Sequence, residues 1–330
     1  MEHRQRGRAP ALTEIGLGAA QLGNLYREID DDTARMTVDA AWDAGIRYFD
    51  TAPHYGLGLS ERRLGEALAS RPRSEFVLST KVGRLLVEDS AGRRVPDDDG
   101  FAVTSSLRRR WDFSRDGILT SVEASLRRLR TDRLDIVYLH DPDDHWDAAA
   151  TTGVDALIEL RDQGVVSAIG AGMNQSAMLA EFVRRCDVDI MMVAGRYTLL
   201  DQSAAADLLP AAAERGVAVV AAAIYNSGLL SSERPRDGVR FDYHDAPVDL
   251  IARANAMADL CEEHGTTLPA AAVAFPLRSP LVTSVVVGMR GTGQVGSTID
   301  RYHAAPPPEL WEQLAAHGLI RAEDRPVRSS

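Results

Sequence analysis

Apolar residues fall into short unbroken runs along the chain, and the stretches between them repeat apolar positions at three- and four-residue spacing. Eight runs read as strands: 15–19, 46–50, 76–81, 134–140, 165–170, 190–193, 217–222 and 284–288. Most are continuous rather than alternating, as expected of strands covered on both faces of a parallel sheet. Helical spacing predicts helices over 32–44, 60–70, 114–130, 154–163, 175–184, 202–215, 248–264 with 269–277, and 292–302. A further helix is expected over 308–317, before a polar tail. Glycines at 45, 164, 216 and 265 stand just past four of these helices, where a helix ends most easily.

Eight strand–helix units predict an α/β chain folded as a (β/α)8 barrel, the TIM barrel. A doubly wound open sheet is the competing layout. It opens on a phosphate loop, and Gly16-Leu-Gly18 is only a fragment of Gly-x-Gly-x-x-Gly. The 330 residues read as one domain, with a barrel core over 10–303 and a C-terminal helix and tail over 304–330. Two strand-to-helix connections are long: 82–113, which contains Asp97-Asp-Asp-Gly100, and 224–247. Connections of that length serve as lids or substrate walls, and both belong at the C-terminal face of a barrel.

Hydrophobic content of 45% and charged content of 26% fit a soluble globular protein. The net charge of −11 argues against a nucleic-acid partner and against an anionic membrane surface. Cys186 and Cys261 are far apart in helix-like contexts, so no disulfide is expected and a reducing cytoplasm is the default. The first ten residues are polar and arginine-rich, unlike a signal peptide, and no apolar run is long enough for a membrane span.

Lys81 is the only lysine; every other residue of the Lys and Arg set is arginine. A lysine kept in such a background marks a place where a permanently charged planar fork does not serve. Asp50 ends the second expected strand, Tyr55 lies just beyond it, Lys81 ends the third and His140 ends the fourth. Adjacent strands lie about 4.8 Å apart, so these side chains can meet at one mouth. An ammonium beside a phenol is expected to lower the tyrosine pKa, and a carboxylate holds the lysine charged. The tyrosine can then exchange a proton with an alcohol or carbonyl oxygen that a neutral histidine orients. Such an exchange completes a redox reaction only with a hydride carrier, which implies a nicotinamide cofactor.

Plainer readings stand beside these. Asp50 alone fits a helix cap, Tyr55 a surface aromatic, and His140 a satisfied interior histidine; their order and strand-end placement make the joint case. His54 reads as a pocket wall. His140-Asp-Pro-Asp-Asp-His145 has the composition of a metal cluster without supporting ligand spacing, so no metal site is assigned. Its acids read as a solvated loop turned by Pro142. Arg108-Arg-Arg110 and Arg127-Arg128 read as solvated faces.

Gly45-Ile-Arg-Tyr-Phe-Asp50-Thr-Ala-Pro-His-Tyr55-Gly, followed by Ser60-Glu-Arg-Arg-Leu-Gly-Glu-Ala-Leu68, resembles the signature of the aldo-keto reductase superfamily. Ser79-Thr-Lys81-Val and Asp135-Ile-Val-Tyr-Leu-His140 are similar to its lysine and histidine motifs. The resemblance runs from about Ile15 to Tyr302. It implies the barrel, NAD(P)-dependent carbonyl–alcohol chemistry and the tetrad Asp50, Tyr55, Lys81 and His140. Within the superfamily the chain is similar to the sugar dehydrogenases, those for L-fucose, D-threo-aldoses and L-galactose, with pyridoxal 4-dehydrogenase nearby. The residues behind this are His140-Asp-Pro-Asp143, Ile169-Gly-Ala-Gly-Met-Asn174, Ala194-Gly-Arg-Tyr-Thr-Leu-Leu-Asp201 and Tyr225-Asn-Ser-Gly-Leu-Leu230.

By the same resemblance Asn174, Ser227, Gly228, Gly288, Arg290 and Gln294 would contact the cofactor. Many relatives have Ser-Asn where this chain has Met173-Asn174, and Gln where it has Ala194. Tyr225 is a stand-in for the aromatic that stacks on the nicotinamide. NADP-preferring relatives place Lys and Arg where Gly288 and Gln294 stand, which tilts the expectation toward NAD, with Arg290 still able to reach a 2′-phosphate. The expected activity is oxidation of an aldose to its lactone, with a small-molecule substrate and an open oligomeric state. The alternatives are a pyridoxal 4-dehydrogenase or general aldehyde or ketone reductase, a non-catalytic nicotinamide-nucleotide-binding regulatory subunit, and, more distantly, a metal-dependent barrel hydrolase.

Overall fold

Eight parallel strands close into a barrel in the computed structural model, which describes residues 1–321 apart from 236, 237, 239, 242 and 243. They are β1 (Ile15–Gly18), β2 (Tyr48–Asp50), β3 (Val77–Val82), β4 (Leu134–His140), β5 (Val166–Met173), β6 (Ile190–Ala194), β7 (Ala218–Ala222) and β8 (Val282–Gly288). Each pairs with its sequence neighbour, and β8 returns to β1 with Val285 opposite Ile15 and Gly288 opposite Gly18. The expected (β/α)8 barrel is therefore present, with every expected strand in place.

Ten longer helices surround or flank the barrel: α1 (Asp31–Asp43), α2 (Leu59–Leu68), α3 (Arg115–Leu129), α4 (Val154–Asp162), α5 (Ser176–Arg185), α6 (Leu208–Arg215), α7 (Val248–Glu263), α8 (Leu268–Leu277), α9 (Thr292–His303) and α10 (Pro308–Ala316). The expected stop glycines behave as read: Gly216 ends α6 with φ 68°, and Gly164 follows α4 with φ 73°. α6 starts later than expected. A short 3-10 turn, Ser203–Ala205, intervenes, and the Asp207 carboxylate caps α6 by accepting from the Leu208 amide at 2.6 Å.

The core has two compartments. One lies between strands and helices; the other fills the barrel with Tyr48, Ile136, Tyr138, Ile190, Met192, Val220 and Val286. Burial on both faces explains why the strand runs were continuous in sequence. Strand residues two apart share a face. Asp50 lies two beyond Tyr48 and His140 two beyond Tyr138, so both stand above the interior aromatics at the C-terminal end.

Three features differ from the expectation. β5 continues to Met173, three residues past the expected end at 170, because Gly172 still pairs with His140 and Met173 with Val193. An unanticipated N-terminal hairpin, His3–Arg4 with Leu12–Thr13, covers the barrel base and buries Ala9 and Leu12 against the interior cluster. The 82–113 connection is itself structured. Arg84–Glu88 pairs with Leu107–Trp111, and Val95–Pro96 pairs with Thr104–Ser105. A bridge between Leu25 and Phe101 ties its tip to the loop after β1.

In the 224–247 connection the described part includes a 3-10 turn, Asn226–Gly228, and the pair Arg240–Phe241 with His244–Asp245; five of its positions lie outside the described residues. So do residues 322–330, the end of the expected C-terminal helix and tail over 304–330. Among the described residues no helix is long and apolar enough to cross a membrane. Both cysteines are buried and unpaired.

Candidate active site

Asp50, Lys81 and His140 come from three adjacent strands, β2, β3 and β4, and meet at the C-terminal mouth. The Lys81 ammonium is 2% exposed and donates to three oxygens: Asp50 Oδ2 at 2.6 Å, the Thr51 carbonyl at 3.0 Å and the Tyr55 hydroxyl at 3.1 Å. Those three bonds use all its protons. The His140 ring stands edge-on to the Tyr55 ring, with centroids 5.8 Å apart and planes at 88°. The four residues expected to act together are thus assembled around one small volume.

The turn that carries Tyr55 is fixed by neighbouring backbone. Its amide donates to the Ala52 carbonyl at 3.1 Å. Gly56, at φ 63°, crosses Gly23 so closely that a Cβ on it would lie 2.3 Å from the Gly23 oxygen. The signature residues of α2 act as scaffold. The Ser60 hydroxyl donates to the Ala19 carbonyl at 2.6 Å, and the fully buried Glu61 accepts from Thr80 at 2.7 Å and Arg128 at 2.6 Å. Arg63 donates to Asp31, Asn24 and the Leu22 and Ile29 carbonyls. Asp31, Leu22, Asn24 and Ile29 all lie between β1 and the first turn of α1, so the loop after β1 is pinned beside the mouth.

Beneath Asp50 lies a chain of buried hydroxyls. Ser79 Oγ donates to Asp50 Oδ1 at 2.7 Å, and lies 3.1 Å from the Tyr48 hydroxyl, which lies 3.2 Å from that of Tyr138. When each hydroxyl donates toward the carboxylate, the chain is satisfied and its bonds polarise one another. Asp50 is then held from below by Ser79 and from the side by Lys81.

Electrostatics set the protonation states. Burial opposes the Lys81 charge, but Asp50 and then Tyr55 outweigh it, and the ammonium pKa lies above its usual value. Burial pushes the His140 imidazole well below its usual value, with Arg84 and Lys81 adding to the effect, so the ring is neutral. Tyr55 corrects the sequence expectation. Burial raises its pKa, and the opposing pull of Lys81 does not reverse the direction. The resting hydroxyl is therefore a phenol, held by a cation that stabilises its anion once the proton leaves.

The rim of the mouth holds residues that sequence reading set aside. Arg109, read as solvated, donates from Nε to His54 Nδ1 at 2.6 Å and pairs with Asp97 and Asp99. That leaves the His54 proton on Nε2. Burial, then Arg84 and Arg109, push the His54 pKa down to about 2, so the wall residue is neutral. Asp141, read as part of a solvated loop, instead pairs with Arg84. Phe101 closes the wall, its ring centroid 5.2 Å from that of His54 and 6.0 Å from that of Tyr55. Arg84 and Phe101 carried no motif, and Asp141 entered only as part of the 140–143 resemblance with no role of its own; the further signal was their place just past a strand or in a long connection.

The tetrad opens into a cavity of about 610 Å³ that Asn174, Gln175, Ala194 and Gly288 also line. A second cavity of about 450 Å³ is lined by Tyr225, Ser227, Gly228, Arg290 and Gln294. The two share Gln21, Leu25, Ala223, Val286 and Gly288 as lining, so all six expected cofactor residues border one continuous cleft. Sequence reading missed Gln21. Its side chain lies where a Cβ on residue 288 would be, which accounts for glycine there, and its buried Oε1 has no hydrogen-bond partner among the described residues. At the far end Arg290 donates to the Leu25 carbonyl at 3.2 Å and bonds Gln294 Oε1 through its own amide at 2.8 Å. Burial and then the nearby Arg27 lower its pKa. A long cleft with an orphaned amide oxygen at its middle and two arginines at one end fits an extended, phosphate-bearing nucleotide. The Tyr225 hydroxyl takes a hydrogen bond from Arg301 at 3.0 Å.

Comparison with known proteins agrees with this architecture. The description "Aldo/keto reductase family" matches residues 14–318. A D-threo-aldose 1-dehydrogenase of Pseudomonas sp is 48% identical over 313 residues, covering 94% of this chain and 95% of that protein. A pyridoxal 4-dehydrogenase of Microbacterium luteolum is 39% identical, covering 97% and 98%. Among solved structures, the holo form of an aldo-keto reductase from Bacillus halodurans superposes with a TM-score of 0.76 at 28% identity, over 98% of this chain and 97% of that one. With the barrel closed and the match spanning all eight strands, the chain belongs to the aldo/keto reductase family and is an oxidoreductase.

Proposed function

We propose that this oxidoreductase is an NAD(P)-dependent aldose 1-dehydrogenase, with L-fucose or another D-threo-aldose as representative substrate. One observation carries the reading of the site: Lys81 divides its protons among Asp50, the Thr51 carbonyl and Tyr55, with neutral His140 alongside. The likeness to a D-threo-aldose 1-dehydrogenase at 48% identity supports the substrate class. A cyclic aldose carries one hydroxyl on its anomeric carbon. Removing that hydroxyl's proton and the carbon's hydride leaves a lactone. The nicotinamide ring, when bound, takes the hydride.

The chain's own residues handle the proton. Tyr55 accepts it as general base, and Lys81 stabilises the oxygen that results. Asp50 keeps Lys81 charged and aimed. His140 donates from its imidazole to the reacting oxygen and fixes its place. Asn174 and the Ser227–Arg290 side of the cleft hold the nucleotide. Gly288 and Gln294 offer no cation to a 2′-phosphate, which favours NAD, whereas Arg290 beside Arg27 supplies one, so both cofactors are accepted. Arg290→Gln should raise the KM for NADP more than that for NAD.

The 39% identity to a pyridoxal 4-dehydrogenase supports a second reading, an aldehyde substrate of that kind on the same tetrad. A panel of aldoses, pyridoxal and simple aldehydes, followed by nicotinamide absorbance with each cofactor, separates the two. Turnover of pyridoxal without turnover of any aldose would remove the first reading.

A further inference from the structure

Asp141 follows β4 directly and sits at φ 42°, a left-handed conformation that non-glycine residues seldom adopt. The next residue is Pro142, which restricts the conformation of the residue before it still further. A strained residue persists only where its surroundings over-determine it, and such residues cluster at functional sites. Here the Asp141 amide donates to the Gly172 carbonyl at 3.0 Å, and its Oδ2 accepts from Arg84. That same oxygen lies 3.6 Å from His140 Nε2, and both Arg84 and Asp141 line the tetrad cavity.

The pair is incompletely used. Arg84 stacks on Trp111, 4.5 Å from the ring centroid, bonds Asp141 and holds Nη1 3.3 Å from the His54 ring, yet its buried Nε has no hydrogen-bond partner among the described residues. An unsatisfied buried donor is costly, by roughly 1–3 kcal/mol, unless something arrives to accept from it. A hydroxyl donates one hydrogen bond and accepts others, so it matches a carboxylate and a guanidinium set side by side. An oxygen bonded to His140 Nε2 would lie next to Asp141, and the group nearest to it on a sugar is the hydroxyl of the adjacent carbon.

We infer that Arg84 and Asp141 form a subsite that reads the hydroxyl on the carbon next to the reacting one, so that α-hydroxy substrates are accepted and their deoxy counterparts rejected. The inference rests on the reaction proposed above and adds to it the group that selects the substrate. It explains why an aspartate is kept in a conformation that glycine would adopt freely. It also gives the hairpin of the 82–113 connection a task, since Arg84 is its first residue.

The test compares kcat/KM for L-fucose and its 2-deoxy counterpart with NAD. It repeats the comparison in the reductive direction for glyceraldehyde and propanal with NADH. The parent chain should favour the hydroxylated member of each pair by at least about 100-fold. Asp141→Ala and Arg84→Met should each compress that preference to about tenfold or less, through loss on the hydroxylated substrate alone. Asp141→Gly relieves the backbone, so it should lose the same preference while melting at or above the parent temperature. Variants that retain the parent's preference would overturn the inference, as would a parent chain that shows none. Absence of sugar turnover would defeat the aldose reading, and the glyceraldehyde to propanal ratio would still decide this one.

Discussion

The floor and the rim of the mouth are built by different rules. On the floor, Asp50, Lys81 and His140 are fixed by strand register; Lys81 bonds Asp50 and Tyr55 within 3.1 Å, and the His140 ring stands edge-on to that of Tyr55. On the rim, Arg84, Arg109, Asp97, Asp141 and Phe101 come from connections; Arg109 meets Asp97 within one connection, and Arg84 with Asp141, Arg109 with His54 and Phe101 with His54 join parts far apart in sequence. In the proposed reaction the floor would serve any substrate with a transferable hydride, and the rim would decide which one approaches. Chemistry would then be carried by the part of the chain least free to vary in shape, and selection by the part most free to vary.

The sharpest break of this contrast is Lys81→Arg. Charge is kept, but a planar fork replaces a compact donor to three oxygens, so kcat/KM should fall by about 100- to 10,000-fold. A variant close to the parent rate would remove Lys81 from its role. Next is pH. In the proposed reaction Tyr55 must lose its proton to act as base, and its pKa is raised by burial, so the proposed aldose oxidation should climb with pH into the alkaline range. Carbonyl reduction should fall over the same interval. A flat profile for kcat/KM would reassign the base.

Ser79→Ala probes what supports the floor. It removes one of two donors to Asp50, so kcat should drop about tenfold with KM unchanged. Tyr138→Phe, at the far end of the hydroxyl chain, should cost less than about threefold. Equal losses would show that the chain acts as a unit. The smallest effect concerns the rim and stability. His54 is pushed down to about 2, and its unfolded value is near 6.5. The unfolded chain therefore binds a proton that the fold excludes. This contribution is whole above about pH 6.5 and is lost as pH falls below it. The urea midpoint should be lower at pH 5 than at pH 7, and His54→Gln should narrow that gap.

This contrast also explains what could be read in the sequence. Continuous apolar runs located all eight strands, so Asp50 and His140 were legible as strand-end groups; that they stand above Tyr48 and Tyr138 became clear with the barrel interior. Their meeting with Lys81 followed from barrel closure. The direction of the Tyr55 shift did not follow, because burial depends on how Phe101 and His54 cover the ring. Asp141 and Arg109 were hidden for a similar cause. A charge in a run of polar residues looks solvated until the path of a distant loop is known. Gln21 is visible as a lining group only once β1 and β8 are adjacent.

Lys81 is the only lysine in 330 residues, and it is buried to within 2% of full cover. Reducing sugars slowly condense with exposed ε-amines and glycate the proteins that handle them. This chain offers them guanidinium groups instead, and its single ε-amine is already bonded to three oxygens. If the proposed aldose is its substrate, the enzyme would in this way present little lysine for that sugar to damage.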